Sequence, residues 1–145
     1  MSAEELIAEL GFAPHPEGGW FRETWRAPTI DGERTSSTAI LFLLKSHERS
    51  HWHRVDADEI WLWHQGDALK LLVAADEDSP PLATLLGPSG DSGHGPQKVI
   101  PAGHWQAAEP QPGGQHGYVL VSCVVAPGFE FSGFEMAVEG WKPGR

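Results

Sequence analysis

Two histidines and a glutamate are the residues whose types and spacing most plainly could do chemistry. His51 and His53 lie two apart in the run "SHWHR", and Glu59 follows after five further residues. In an extended strand, residues two apart point to the same face, so both imidazoles are expected on one side. The same alternation sets Glu59 with Trp61 and Trp63 on one face. A turn over 55–58 would fold Glu59 back onto the histidines. Two imidazoles and a carboxylate form the facial set that holds Fe(II), and such donors also take Mn, Zn or Ni. Positions left open on the ion would accept substrate or water. The same residues have a use without a metal. His53, oriented by Glu59, would be a general base at the wall of a pocket. The plain structural alternative is a well-packed strand.

Other side chains extend these readings. Tyr118, the sole tyrosine, is expected either in the core or, if it faces the pocket, as the acid opposing His53. Arg22 suits an anionic group on a ligand, and Glu23 stands beside it. Trp61, Trp63 and Trp105 serve either as core residues or as an aromatic wall, with Gln106 adding an amide. Cys123, mid-strand in "VSCVV", is expected buried and inert. His15, His64, His94 and His116 read as loop or surface histidines, and Asp56 and Asp58 as turn residues.

The elements that must position these groups are short. Ser2 and Glu5 make an S-x-x-E capping box, and Leu6, Ile7 and Leu10 share a helical face, which predicts a helix over 2–10 that Gly11 stops. "FAPHPEGG" (12–19) reads as a turn-rich connector. The period then changes to two. Strands are expected over 20–26, 37–46, 50–55, 59–64, 68–75, 81–87, around the Pro-x-Gly turn of 97–109, and over 116–127 and 129–137. The stretch 88–96 reads as a flexible surface loop. Many short strands after one helix predict an all-β jelly roll or small barrel, able to enclose a ligand cavity.

At 145 residues the chain suits one domain, 1–145, with 2–10 as leading helix and 20–137 as barrel. Its formal net charge of −10 would repel a phosphate backbone, so nucleic acid is not an expected partner. The single cysteine excludes an intrachain disulfide framework. The acidic start "MSAEELIAEL" is neither a secretory signal nor a basic transit peptide. No apolar run approaches the ~20 residues of a membrane span. A cytoplasmic protein without a membrane partner is the expectation.

These motifs carry a family resemblance. His51-x-His53, Glu59 and Gly66 resemble the first cupin motif, and Gly95, Pro101 and Gly103 of "GPQKVIPAG" resemble the second. "HPEGGWFRETWR" (15–26), "SHWHR" (50–54), "DEIWLW" (58–63), "HWQAA" (104–108) and "APGFEFSGFEM" (126–136) together resemble the cupin-5 or DUF985 group. The resemblance implies a double-stranded β-helix, that is, a cupin jelly-roll barrel with a short N-terminal helix, an internal pocket and pairing as a homodimer. Two departures stand out. The spacing between His53 and Glu59 is one residue longer than the family's usual pattern, and Gln106 occupies the position of the fourth cupin ligand, a histidine. Three functions stay open. One is an isomerase- or epimerase-like enzyme on a small polar ligand such as a sugar or sugar nucleotide. Another is a metal-dependent dioxygenase or decarboxylase using His51, His53 and Glu59. The third is a non-catalytic binding module.

Overall fold

The computed structural model describes residues 1–88 and 94–144. Helix α1 (Ala3–Leu10) starts where expected: the Ser2 Oγ accepts the Glu5 N–H at 3.1 Å, and Gly11 ends it in the left-handed region at φ 68°. The strands follow in order: β1 (Ala13–Pro14), β2 (Trp20–Arg26), β3 (Thr38–Lys45), β4 (Ser50–Val55), β5 (Asp58–Gly66), β6 (Leu69–Ala74), β7 (Leu82–Leu86), β8 (His94–Gly95), β9 (Gln97–Ile100), β10 (Trp105–Pro110), β11 (Tyr118–Ala126) and β12 (Phe134–Met136). A 3-10 turn over Phe131–Gly133 leads into β12, so the last expected strand is shorter than its sequence suggested. The loop expected over 88–96 falls largely on 89–93, which lie outside the described residues.

The strands form two six-stranded sheets. One runs β1-β2-β3-β11-β5-β9 and the other β12-β4-β10-β6-β7-β8. This is the mostly antiparallel jelly roll that the sequence pattern predicts. The inner faces meet in one core that draws on both sheets: Phe42 and Leu44 from β3, Trp61 from β5, Leu69 and Leu71 from β6, and Val119 and Val121 from β11. Alternation on β11 sends Tyr118 and Leu120 to the opposite face, where they pack with Leu43 against Ala3 and Leu6 of α1. The helix therefore closes the outer face of the first sheet. Among the described residues no helix is long and apolar enough to cross a membrane.

Two strand irregularities decide which side chains turn inward. Between β4 and β10, His53 pairs with Gln106 and Ser50 with Ala108. Three steps on β4 thus oppose two on β10, which is a β-bulge. Strand β2 has a second irregularity against β3, between Glu23 and Trp25.

Candidate functional site

Inside the barrel lies a cavity of about 350 Å³. Its deep wall carries two glutamates and two histidines, all buried: His15, Glu17, His53 and Glu59. Each is set by a different device. Glu59 enters through the expected alternation of β5, and its backbone pairs with Val125 and Ile100. His53 enters because the β4 bulge puts Ser50 and His53, three residues apart, on the inner side. His15 and Glu17 come from the connector between β1 and β2. There the His51 N–H donates to the Glu17 carbonyl at 2.8 Å and pins the connector onto β4. Gly18 and Gly19 permit this approach. Both have positive φ, 110° and 76°, and a Cβ on either would overlap the carbonyl of Arg49 or of Leu43.

The hydrogen bonds fix the imidazoles. His53 Nδ1 lies 2.7 Å from the His51 carbonyl, an acceptor only, so Nδ1 carries the proton. The Nε2 lone pair then faces the Glu17 carboxyl, 3.4 Å from Oε2. His15 is set the other way round. Its Nδ1 accepts the Glu17 backbone N–H at 3.1 Å and lies 3.3 Å from Glu17 Oε1. The Ser50 hydroxyl bonds Glu17 Oε2. On the far side, Gln106 Nε2 donates to Glu59 Oε1 at 2.9 Å, and the Gln106 oxygen accepts Trp61 Nε1–H at 2.8 Å.

Burial sets the charge state. Loss of water pushes the Glu17 carboxyl up to about 8, against a smaller lowering by the Ser50 bond. Burial likewise raises Glu59 to about 7, with nearby His53 opposing that shift. Burial lowers His15 to about 4 and also lowers His53, where Glu59 and the His51 carbonyl pull back. Near neutral pH, Glu17 is a protonated acid, both imidazoles are neutral, and Glu59 is close to its midpoint. The contacts of Glu17 with His15 and His53 are then contacts between neutral groups, not ion pairs, and the single carboxyl proton can serve only one of the two imidazole lone pairs. Cys123 borders Glu59, and burial keeps its thiol protonated and inert, as the sequence predicts.

Several expected site residues sit elsewhere. His51 is exposed, turned away from His53 and Glu59 by the bulge that the simple alternation rule does not anticipate. The set His51, His53 and Glu59 is therefore not brought together, and among the described residues no group of three His, Cys, Asp or Glu side chains is placed to hold a metal ion. Gln106 does not fill the gap, because its oxygen is already taken by Trp61. Tyr118 lies under α1 on the opposite sheet face from Cys123, its hydroxyl accepting Gln65 Nε2–H at 3.0 Å, so it does not oppose His53.

The aromatic expectations are corrected in the same way. Trp61 is packed in the core and Trp63 donates to the Asp67 carbonyl at 2.9 Å; neither lines the cavity. Trp105 lies on the outer face with Trp52 and Trp141. Phe21, Phe129, Phe131 and Phe134 form the apolar wall instead. Arg22 turns away and donates to the Leu10 carbonyl at 3.2 Å. Glu23 does reach the cavity, as does Arg26, carried there by the irregularity in β2. The residues missed are His15 and Glu17. The signal was present in "HPEGG": a His-x-Glu pair followed by two glycines, in a segment of the family pattern, is a poor fit to a solvated connector.

The sequence profile described as "Cupin superfamily (DUF985)" matches residues 4–137. Among solved structures, a Shewanella oneidensis protein matches at 34% identity and TM-score 0.86, over 94% of this chain and 85% of that one. A hypothetical protein from Leishmania major matches at 34% identity and TM-score 0.84, over 94% and 88%. Bacillus subtilis oxalate decarboxylase, whose Mn(II) centres have been studied, shares the fold at 15% identity and TM-score 0.62, over 86% of this chain and 30% of that one. None of the curated proteins matches the chain.

Proposed function

Since this chain belongs to the DUF985 family of the cupin superfamily, we propose that its barrel cavity performs acid–base chemistry on a small polar molecule, of the isomerase or epimerase type. One observation carries the reading: within the cavity, an unprotonated imidazole nitrogen, His53 Nε2, lies 3.4 Å from a carboxyl that burial keeps protonated, Glu17. A base and an acid at one spot, each in its working form near neutral pH, is what proton transfer beside a carbonyl requires.

In this reading a ligand lies against both groups, its carbonyl oxygen at the Glu17 carboxyl and its adjacent carbon at His53 Nε2. His53 Nε2 takes the proton from the adjacent carbon, and the electron pair moves into a carbon–carbon double bond. Glu17 gives its proton to the carbonyl oxygen as that oxygen gains charge. Return of the proton to the same carbon yields the starting compound or its epimer; where that carbon bears a hydroxyl, return of the proton to the former carbonyl carbon while the hydroxyl gives its proton back to Glu17 yields the isomer. The His51 carbonyl holds His53 in the required tautomer, and Glu59, held by Gln106, stabilises the imidazolium once formed. Tyr118 has no part, and Glu17 takes the acid role expected of it. The donor set His51, His53 and Glu59 does not fit a metal, so no step is routed through one.

The test does not require the natural substrate. A panel of aldoses, ketoses and smaller hydroxycarbonyl compounds is incubated with the protein in D2O, and proton NMR follows loss of the signal next to the carbonyl. Exchange by the wild type that vanishes in His53→Gln, with the melting temperature retained, supports the reading. A ligand that raises the melting temperature but shows no exchange would instead favour a binding module.

A further inference from the structure

The cavity wall is rich in carboxyl groups and poor in cations. Four glutamates border it: Glu17 and Glu59 deep inside, Glu23 and Glu130 toward the rim. Among the described lining residues Arg26 alone carries a fixed positive charge, and it is already engaged. Its Nε and Nη2 donate to the two Glu23 carboxylate oxygens at 2.9 and 2.8 Å, and Nη2 also reaches the Phe129 carbonyl at 3.3 Å. Among the described lining residues the one hydroxyl is that of Thr38, which accepts the Phe129 N–H. Asparagine, glutamine and lysine are absent from the described lining. A phosphate or carboxylate would find no unengaged Arg or Lys among the described lining residues.

The remaining surface is aromatic. Phe129, Phe131 and Phe134 pack edge to face on one another, with centroids 4.9 to 6.1 Å apart, and Phe134 lies 5.4 Å from the His53 ring. Aromatic faces attract cations and repel anions. The inner carboxyls have also already lost their water, so a cation arriving there finds that desolvation cost met by folding.

We propose that the occupant of this cavity is an organic cation, an amine with an apolar body, whose ammonium group seats against the Glu17 and Glu59 carboxyls while its body lies on the phenylalanine wall. The ammonium supplies only donors; its approach favours the ionised form of Glu59, which is near its midpoint, while Glu17 meets it with its carbonyl oxygen. The cavity volume suits a molecule of roughly ten non-hydrogen atoms rather than a nucleotide. The inference concerns the same cavity as the proton-transfer reading and rests on that cavity being the ligand site, but not on any reaction there.

Three probes of one shape and different charge test it: benzylamine, benzyl alcohol and benzoate, titrated by calorimetry at neutral pH into the wild type and Glu59→Gln. The expected result is benzylamine binding at least about tenfold tighter than benzyl alcohol, with benzoate weakest. In Glu59→Gln the advantage of benzylamine over benzyl alcohol should shrink, while the affinity for the alcohol holds. Should that variant melt early, the wild-type titrations are repeated at pH 6, where Glu59 takes up its proton and the advantage of benzylamine over benzyl alcohol should shrink. Equal binding of amine and alcohol, preference for benzoate, or no binding by any of the three overturns the proposal. An amine preference without deuterium exchange would leave this inference standing and remove the catalytic one; exchange on uncharged ligands with no amine preference would do the reverse.

Discussion

Strands β4 and β10 present two faces that invert the usual order. Their inner side carries polar side chains, Ser50, His53 and Gln106, each no more than 2% exposed. Their outer side carries Trp52 and Trp105, capped by Trp141. The two faces are built differently. Inside, nearly every polar atom is spoken for: Gln106 bridges Glu59 and Trp61, and Ser50 holds Glu17. Outside, among the described residues, Trp105 Nε1 is buried with no hydrogen-bond partner, and the Arg54 guanidinium lies 4.5 Å above the Trp105 ring. The inner face is a network that fixes charge states, and the outer face is packing that tolerates an orphaned donor. Buried polar groups are costly unless partnered, so the inner arrangement points to use rather than to stability.

Removing side chains from the two faces should break this symmetry in opposite ways. Trp61→Ala is the largest expected effect, about 3–5 kcal/mol for the lost ring and about 1–3 kcal/mol more for the Gln106 oxygen left without its donor. Gln106→Leu should cost about 1–3 kcal/mol for each group it orphans, here Glu59 Oε1 and Trp61 Nε1. Trp105→Phe removes ring volume but no hydrogen bond, so its loss by urea unfolding should be smaller than that of Trp61→Phe. A Trp105→Phe loss equal to that of Trp61→Phe would mean that the outer indole N–H has a partner.

Acidity should separate the inner face from the rest of the molecule. Glu17 and Glu59 have folded-state values of about 8 and about 7, above the ordinary 4.5. Between those limits the folded protein holds protons that the unfolded chain has lost, so stability from these groups falls as pH rises. His15, at about 4 against 6.5, acts oppositely: the unfolded chain binds its proton more readily, so stability rises from pH 4 to 6.5. Below pH 6.5 the two trends offset. From pH 6.5 to 8 the carboxyls act alone, and stability should drop by on the order of 2 kcal/mol. Melting temperature across that range reads it, and Glu17→Gln should flatten the slope more than Glu59→Gln. A flat wild-type profile would mean that the inner carboxyls are solvated.

The fold was more legible than the site, for a physical reason. Strand alternation, the Ser2 cap and the family motifs report local periodicity, and they place β2 to the residue and β3, β5 and β11 to within two residues at each end. Alternation on β5 also puts Glu59 inward. A bulge shifts one residue without leaving a compositional mark, so His51 was paired with His53 by a rule that fails at that point. The irregularity on β2 likewise separates Arg26, which reaches the cavity, from Arg22, which simple alternation would put on the same face. His15 and Glu17 sit in a connector with no period at all. Their inward turn depends on a tertiary contact with β4 and on two glycines that allow it, and neither can be read from spacing alone.

The smallest expected effect is also the sharpest test of that bulge. His51 and His53 are two residues apart on one strand, one exposed and the other 2% exposed. His51→Ala should change stability by no more than about 0.5 kcal/mol, as for an ordinary surface position, since the backbone carbonyl that orients His53 is unaltered. Ligand binding and any deuterium exchange should persist in it and be lost in His53→Ala. Metal content by plasma mass spectrometry should be the same in His51→Ala as in the wild type. If the wild type carries an equivalent of a transition metal that His51→Ala releases, the two imidazoles share a face after all. The strand would then be regular where the structure has it bulged, and the three-ligand reading of His51, His53 and Glu59 would replace the acid–base pair of His53 and Glu17.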